Sequence, residues 1–301
     1  MANSEIHAEI AVIGAGIMGT GIAHAFLASG STVNLIDIDS KVLSASQAKI
    51  GAIFDAGVKR GKVSEEQAQQ AMDRLGLHTA ISSALHPTTT KLAIETVSES
   101  SETKIAVCSE VDQSLSPEGI IATNTSALSV TEIASATSRP GRFIGMHFFN
   151  PVHKMKLVEL VRGMETSDET VEITSAWVDH IGKGSITVTE SPGLTTSRMS
   201  ALLGNEAMYM LSEGVASAED IDKAMRGALN HPMGPLELGD LTGWDTRLSV
   251  LNYLHQTLGE KYRPCPLIIK LVKAGRLGRK TGRGIYVYDG DEKVPNSGIR
   301  C

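Results

Sequence analysis

The stretch that most restricts the fold is residues 10–37, IAVIGAGIMGTGIAHAFLASGSTVNLID. An apolar run leads into Gly14, Gly16 and Gly19, a helical pattern follows, and a second apolar run ends on Asp37. GxGxxG alone is weak, because glycine is common. Here the glycines follow a predicted strand, open a predicted helix and precede an acidic residue about twenty positions on, which makes the motif specific for dinucleotide binding. Gly14 permits the tight turn, Gly16 lets backbone approach a pyrophosphate, and Gly19 lets helix and strand pack closely. The helix N-terminus, through Ile17 and Met18, offers free N–H groups and the positive end of the helix dipole to phosphates. Asp37 can accept both hydroxyls of a ribose. No arginine follows it, and Asp39 adds negative charge, so a 2′-phosphate is repelled and NAD is expected rather than NADP. The competing reading is a glycine turn that packs without a ligand.

The same alternation continues. Strand-like runs fall at 9–14, 32–37, 91–96, 119–124, 142–149, 156–163 and 184–190, with helical patterns between the early ones and a helix near 168–182. This rhythm predicts an α/β, Rossmann-type doubly wound sheet. Residues 40–75 carry no strand signal and read as two helices broken near AGVKRGK (56–62), a hairpin projecting from the sheet. After SPG (191–193) the pattern turns helical, at 194–213, 218–228, 235–258 and 264–274, with Ser217 as a capping residue. The expected domains are 1–191, dinucleotide-binding, and 192–301, an all-helical C-terminal domain for dimerisation and for the substrate cleft.

With 301 residues, two domains are reasonable. A net charge of −6 and 4% aromatic residues argue against a nucleic-acid partner. No run is long and apolar enough for a membrane span, and the apolar pattern starts near Ile10, leaving no room for a cleavable leader. Cys108, Cys265 and Cys301 form no paired motif, and the final GIRC matches no peroxisomal or prenylation signal. A reducing, cytoplasmic location is therefore expected. No two histidines have metal-ligand spacing, so no metal is expected. His24 reads as a packing residue in an apolar helix, and His231 as bordering a turn.

Residues 145–160, GMHFFNPVHKMKLVEL, raise the chemical question. His147 ends one predicted strand and Glu159 lies on the next, which can fold back beside it. A histidine with an unperturbed pKa of about 6.5 can take a hydroxyl proton near neutrality, and a carboxylate on its other nitrogen would fix the tautomer. A carboxylate inside KLVEL is not simply solvated. The bland alternatives are a satisfied strand-end histidine and a buried structural ion pair.

Taken together, VIGAGIMGTGIAHAF, ETVSESSETK, TNTSAL, HFFNPVHKMKLVEL, HPMGPLELGD and GRKTGRGIY give a chain that resembles the L-3-hydroxyacyl-CoA dehydrogenases, most of all the short-chain 3-hydroxybutyryl-CoA dehydrogenases. The resemblance covers nearly the whole chain. It implies oxidation of a 3-hydroxyacyl-CoA to the 3-ketoacyl-CoA with reduction of NAD, and a homodimer. By position it makes His147 the base, Glu159 its partner, Ser126 a hydroxyl that contacts substrate and cofactor, and Asn150 a neighbour of the nicotinamide. Glu99, Lys104 and Lys280 match further cofactor contacts, and Asn124 lies close by.

Two departures stand out. GLTTSR (193–198) places Ser197 where the family often has an asparagine near the catalytic histidine, and PVHKM (151–155) is more polar than the family's stretch. The basic cluster Lys59, Arg60 and Lys62 is either a solvated loop or a rim for the phosphates of CoA, with Arg60 the foremost candidate. Alternatives are a related dehydrogenase of a small 3-hydroxy acid, such as a sugar acid or carnitine, and an NAD-binding protein whose catalysis has decayed. Ser197 is the only support for the last of these.

Overall fold

The computed structural model describes residues 9–299, and the chain divides into two compact units between Glu190 and Ser191. Cys301 and the end of GIRC lie outside the described residues.

The first unit is built on eight strands: β1 (Glu9–Ile13), β2 (Thr32–Ile36), β3 (Leu75–His78), β4 (Thr90–Glu95), β5 (Ile120–Thr123), β6 (Phe143–Phe148), β7 (Leu157–Arg162) and β8 (Gly184–Thr189). They lie side by side in the order β3-β2-β1-β4-β5-β6-β7-β8. The first six are parallel and follow the doubly wound dinucleotide-binding order. β7 runs antiparallel to β6, and β8 then runs parallel to β7. Ile10, Val12, Ala11 and Ile13 are all buried, although they alternate between the two faces of β1, so this strand is covered on both sides.

The helices of this unit are α1 (Ile17–Ala28), α2 (Ser40–Lys59), α3 (Glu65–Asp73), α4 (Ser101–Ser114), α5 (Val130–Ala134) and α6 (Asp168–His180). Phe26 of α1 meets Trp177 of α6 edge-on, with ring centroids 6.2 Å apart. Their inner faces share one core with Ile10, Val12, Leu92 and Ile94. Each fully buried side chain of this size is worth about 1.5–3 kcal/mol relative to exposure.

Three expectations are corrected here. Residues 75–78 form β3, a strand on the sheet edge. LGLH is too short for its alternation to stand out after a helix. The helical hairpin does not simply project. Leu43, Ile50 and Phe54 of α2 and Ala68 and Ala71 of α3 join the core, while the tip, with Lys59, Arg60 and Lys62, is exposed. A capping box between Ser64 and Gln67 restarts the chain into α3.

The third correction lies in the second unit, which holds α7 (Thr196–Ser212), α8 (Ala218–Leu229), α9 (Pro235–Thr242), α10 (Trp244–Leu258) and α11 (Pro266–Lys273). The single helix expected over 235–258 is two. Gly243, at φ +94°, ends one and starts the other, a conformation that a side chain would resist. A two-residue ladder pairs Tyr288–Asp289 with Glu292–Lys293. Trp244, Leu251, Leu254, Ile268 and Ile285 build the core. No helix among the described residues is long and apolar enough to cross a membrane.

Candidate active site

The glycine turn has the form that a dinucleotide requires. Gly14 sits at φ +99°, and a Cβ there would lie 2.9 Å from the Thr96 backbone. A Cβ on Gly19 would lie 1.8 Å from the Gly14 carbonyl oxygen, whereas one on Gly16 would meet nothing within 4 Å. Two glycines thus allow the close packing and the third leaves open space over the backbone. No side chain caps α1 at Gly16, so its first amides face outward beside the exposed Ile17. One Asp37 oxygen accepts the Ala15 N–H at 2.9 Å and the other accepts the Asp39 N–H at 3.0 Å. Each oxygen keeps a second lone pair for a ribose hydroxyl. These residues fit NAD.

Along the sheet, β6 and β7 are antiparallel, with His147 directly opposite Glu159. Direct cross-strand partners point to the same face, so the twelve-residue spacing becomes contact. His147 Nδ1 lies 2.7 Å from Glu159 Oε2, and Glu159 is fully buried. The tautomer that donates Nδ1–H to this carboxylate carries its lone pair on Nε2. Ser126 Oγ, on the loop after β5, lies 3.0 Å from Nε2. Phe149 tilts against the ring at 4.6 Å between centroids and limits its rotation.

Connectivity of this kind also occurs in serine hydrolases. Here the amides after β5 are committed elsewhere: Ser126 N–H donates to Glu99 Oε1 at 3.0 Å, and the amides of Ala127 and Leu128 donate to Thr125 Oγ1. They do not form an oxyanion hole around Ser126. The pair instead suits withdrawal of a proton from a substrate hydroxyl.

Glu99, Asn124, Ser126 and His147 are brought together by β4, β5 and β6. Glu99 also accepts from the Thr125 hydroxyl, and Asn124 Oδ1 accepts the Phe148 N–H at 2.9 Å. Asn150 is exposed just past β6. Lys104, expected among the cofactor contacts, is at 0% exposure, and its ammonium is held by Glu95 and the Asn124 carbonyl. These protein acceptors enclose it. Its partner Glu95 was missed by sequence reasoning, although KLAIE carries the same signal as KLVEL, a carboxylate in an apolar run.

In the second unit, Ser197 lies in the first turn of α7, and Lys280 is exposed, with Nζ 2.7 Å from Asp245. Arg60 and Lys59 are exposed at the hairpin tip. His24 is packed against Phe54, at 4.5 Å between ring centroids, and its buried Nδ1 has no hydrogen-bond partner. Among the described residues, no group of three or more His, Cys, Asp or Glu side chains is arranged to hold a metal.

A dinucleotide turn and a carboxylate-oriented histidine on one mostly parallel sheet define a nicotinamide-dependent dehydrogenase acting on a hydroxyl group. Residues 9–191 match the 3-hydroxyacyl-CoA dehydrogenase NAD-binding domain, and residues 193–288 match the 3-hydroxyacyl-CoA dehydrogenase C-terminal domain. The chain belongs to the 3-hydroxyacyl-CoA dehydrogenase family, whose members depend on NAD. It is 43% identical over 288 residues to a 3-hydroxybutyryl-CoA dehydrogenase of Bradyrhizobium diazoefficiens, covering 95% of this chain and 97% of that one. It is 41% identical over 282 residues to a probable 3-hydroxybutyryl-CoA dehydrogenase of Bacillus subtilis, covering 93% and 97%. The crystal structure of (S)-3-hydroxybutyryl-CoA dehydrogenase from Ralstonia eutropha aligns with a TM-score of 0.89 at 41% identity, covering 94% of this chain and 99% of that one.

Proposed function

We propose that this chain interconverts short-chain L-3-hydroxyacyl-CoA and 3-ketoacyl-CoA, with 3-hydroxybutyryl-CoA as its substrate, in the cytoplasm. The observation that carries the reading is the hydrogen-bonded line Ser126–His147–Glu159. His147 Nε2 takes the C3 hydroxyl proton. Glu159 holds the ring in the tautomer that leaves Nε2 free, and balances the charge that the ring gains. Ser126 donates a hydrogen bond to the C3 oxygen and fixes its distance from Nε2. Bound NAD supplies the hydride acceptor. The amides of Ile17, Met18 and Gly19, the open backbone at Gly16 and the Asp37 carboxylate hold its pyrophosphate and ribose, while Glu99, Asn124, Ser126 and Asn150 would hold its other end. Ser197 takes the place of the family's asparagine.

Arg60, with Lys59, pairs with phosphates of CoA, which separates this substrate from small free acids. The second unit associates with a second copy, supported by the exposed apolar side chains of Met199, Val215, Leu229 and Leu241. The test is an NADH-oxidation assay with acetoacetyl-CoA beside acetoacetate, a sugar acid and carnitine. Turnover confined to the CoA thioester supports the reading, and equal turnover of a free acid overturns it.

A further inference from the structure

Lys104 and Glu95 form a buried ion pair that touches neither His147 nor the glycine turn. Both side chains are at 0% exposure. The Lys104 ammonium donates to Glu95 Oε1 at 2.8 Å and Oε2 at 3.0 Å, and to the Asn124 carbonyl at 3.1 Å, and lies 3.5 Å from Glu99 Oε2. Glu95 accepts in addition from Thr123 Oγ1 and from the Val97 N–H, each at 2.6 Å. Isolated charges this deep cost several kcal/mol each, and they persist where their hydrogen bonds are satisfied.

One of these contacts, to the Asn124 carbonyl, falls on the backbone that leads to Ser126. The Asn124 carbonyl opens the Asn124–Ser126 loop, and the Asn124 side chain accepts from Phe148, next to His147. Glu99 holds the same loop through the Ser126 amide and the Thr125 hydroxyl. One ammonium therefore bridges the end of β4, the loop after β5 and, through Asn124, the end of β6.

We infer that Lys104 is a positioning residue: clamped to Glu95, it sets the Asn124–Ser126 loop so that Ser126 Oγ meets His147 Nε2. This inference rests on the proposed roles of Ser126 and His147. It differs from a cofactor-contact role for Lys104 in what it predicts. A cofactor contact would show in NADH affinity, whereas a positioning residue shows in turnover. Displacing a reacting group by about 1 Å can cost on the order of 100-fold.

The experiment uses the full-length protein and acetoacetyl-CoA. Lys104→Met alone strands the Glu95 carboxylate, so the main variant is Lys104→Met with Glu95→Gln, which removes both charges. It should lose about 10- to 100-fold in kcat while the NADH dissociation constant, read by fluorescence, stays within about threefold. In a Ser126→Ala background the same pair of changes should cost little more, because the effect passes through Ser126. Thr123→Val is the second variant, in case the first does not fold. It removes one hydrogen bond from Glu95 and leaves every residue assigned to the NAD site in place. It should lower kcat by a smaller factor, again not additively with Ser126→Ala. A weakened NADH affinity with kcat unchanged, or full additivity with Ser126→Ala, overturns the inference and leaves the Ser126–His147 reading standing. A Ser126→Ala enzyme as active as the parent overturns that reading and the inference with it.

Discussion

Both units of this protein bury carboxylates, and they use them in opposite ways. Asp240 in the second unit accepts Trp244 Nε1 at 2.6 Å, the amides of Ile285 and Tyr286 at 2.8 and 2.9 Å, and the Tyr288 hydroxyl at 3.0 Å. The donors are an indole, two amides and a phenol, none of which changes charge near neutral pH, and the carboxylate pins the segment after Gly284 against α9 and α10. Glu159 in the first unit has one oxygen on an imidazole that can change its charge. The burial is similar and the partner differs. A carboxylate facing fixed dipoles stabilises a fold, whereas one facing a titratable ring can stabilise a change of charge. Loss of the first is therefore expected to appear in stability and loss of the second in turnover.

The largest effect expected is on turnover. His147→Gln should lower kcat by about 10²–10⁴-fold, the usual worth of a general base. NADH affinity should barely move, because the glycine turn is untouched. Glu159→Gln should cost less, since it keeps a hydrogen bond but loses the charge. The two losses should be non-additive, as for groups acting as one unit. The measurement is a double-mutant cycle with kcat and NADH affinity taken separately. Full turnover in His147→Gln would make the histidine a strand residue, and additive losses would remove Glu159 as its partner.

Asp240→Asn is the counterpart. An amide cannot accept from four donors at once and turns its own NH₂ toward some of them. The change should cost about 2–4 kcal/mol of stability. NADH affinity and kcat should stay near the parent's below the melting transition. Thermal unfolding followed by far-ultraviolet circular dichroism reads the first, and the standard assay the second. A loss of kcat at unchanged Tm would contradict the structural assignment of Asp240.

These contrasts also explain which parts were legible in the sequence. The β1–α1–β2 segment was, because the chemistry at Gly14, Gly16, Gly19 and Asp37 and the hydrophobic periodicity give the same answer. The His147–Glu159 pair was readable because a short connection, FNPVHKMK, joins two adjacent apolar runs that pair antiparallel. Lys104 was not. The resemblance gave Lys104 as a cofactor contact, and its burial depends on Glu95 and Asn124, which reach it from β4 and from the loop after β5. β3 was hidden because a four-residue edge strand has almost no periodicity. The break at Gly243 was present in the letters TGW, but the apolar spacing ran through it.

Acid should weaken the first unit through His24. Burial, then repulsion from His153 and Lys183, lowers the pKa of His24 from 6.5 to about 4. The unfolded chain therefore binds a proton between those two values that the folded protein does not, so stability rises with pH across that window. The full contribution is present above pH 6.5 and is lost as pH falls toward 4. The slope should approach 1.4 kcal/mol per pH unit at most. His24→Gln should flatten it without altering kcat at neutral pH. Urea unfolding at pH 7, 6, 5 and 4.5 measures this, and an unchanged slope in the variant would place the acid sensitivity elsewhere.

The smallest effect expected concerns Ser197, on which the contrast between stability and turnover can be tested most finely. It lies in the first turn of α7, where the parent family often has asparagine, and a serine offers one hydroxyl in place of an amide. If Ser197 does the asparagine's positioning work, Ser197→Ala removes one hydrogen bond and costs about 1 kcal/mol, or somewhat under tenfold in kcat/KM. Ser197→Asn restores the longer polar side chain and should keep parental activity. Both variants should unfold at nearly the parent's temperature, because one half-buried hydroxyl in a first helical turn contributes little to packing. A structural serine predicts the reverse: a lower Tm for Ser197→Ala and unchanged kcat/KM. Steady-state kinetics and thermal unfolding on the same preparations separate the two. An alanine variant that matches the parent in both would make Ser197 a bystander and would leave the proton transfer to Ser126, His147 and Glu159 alone.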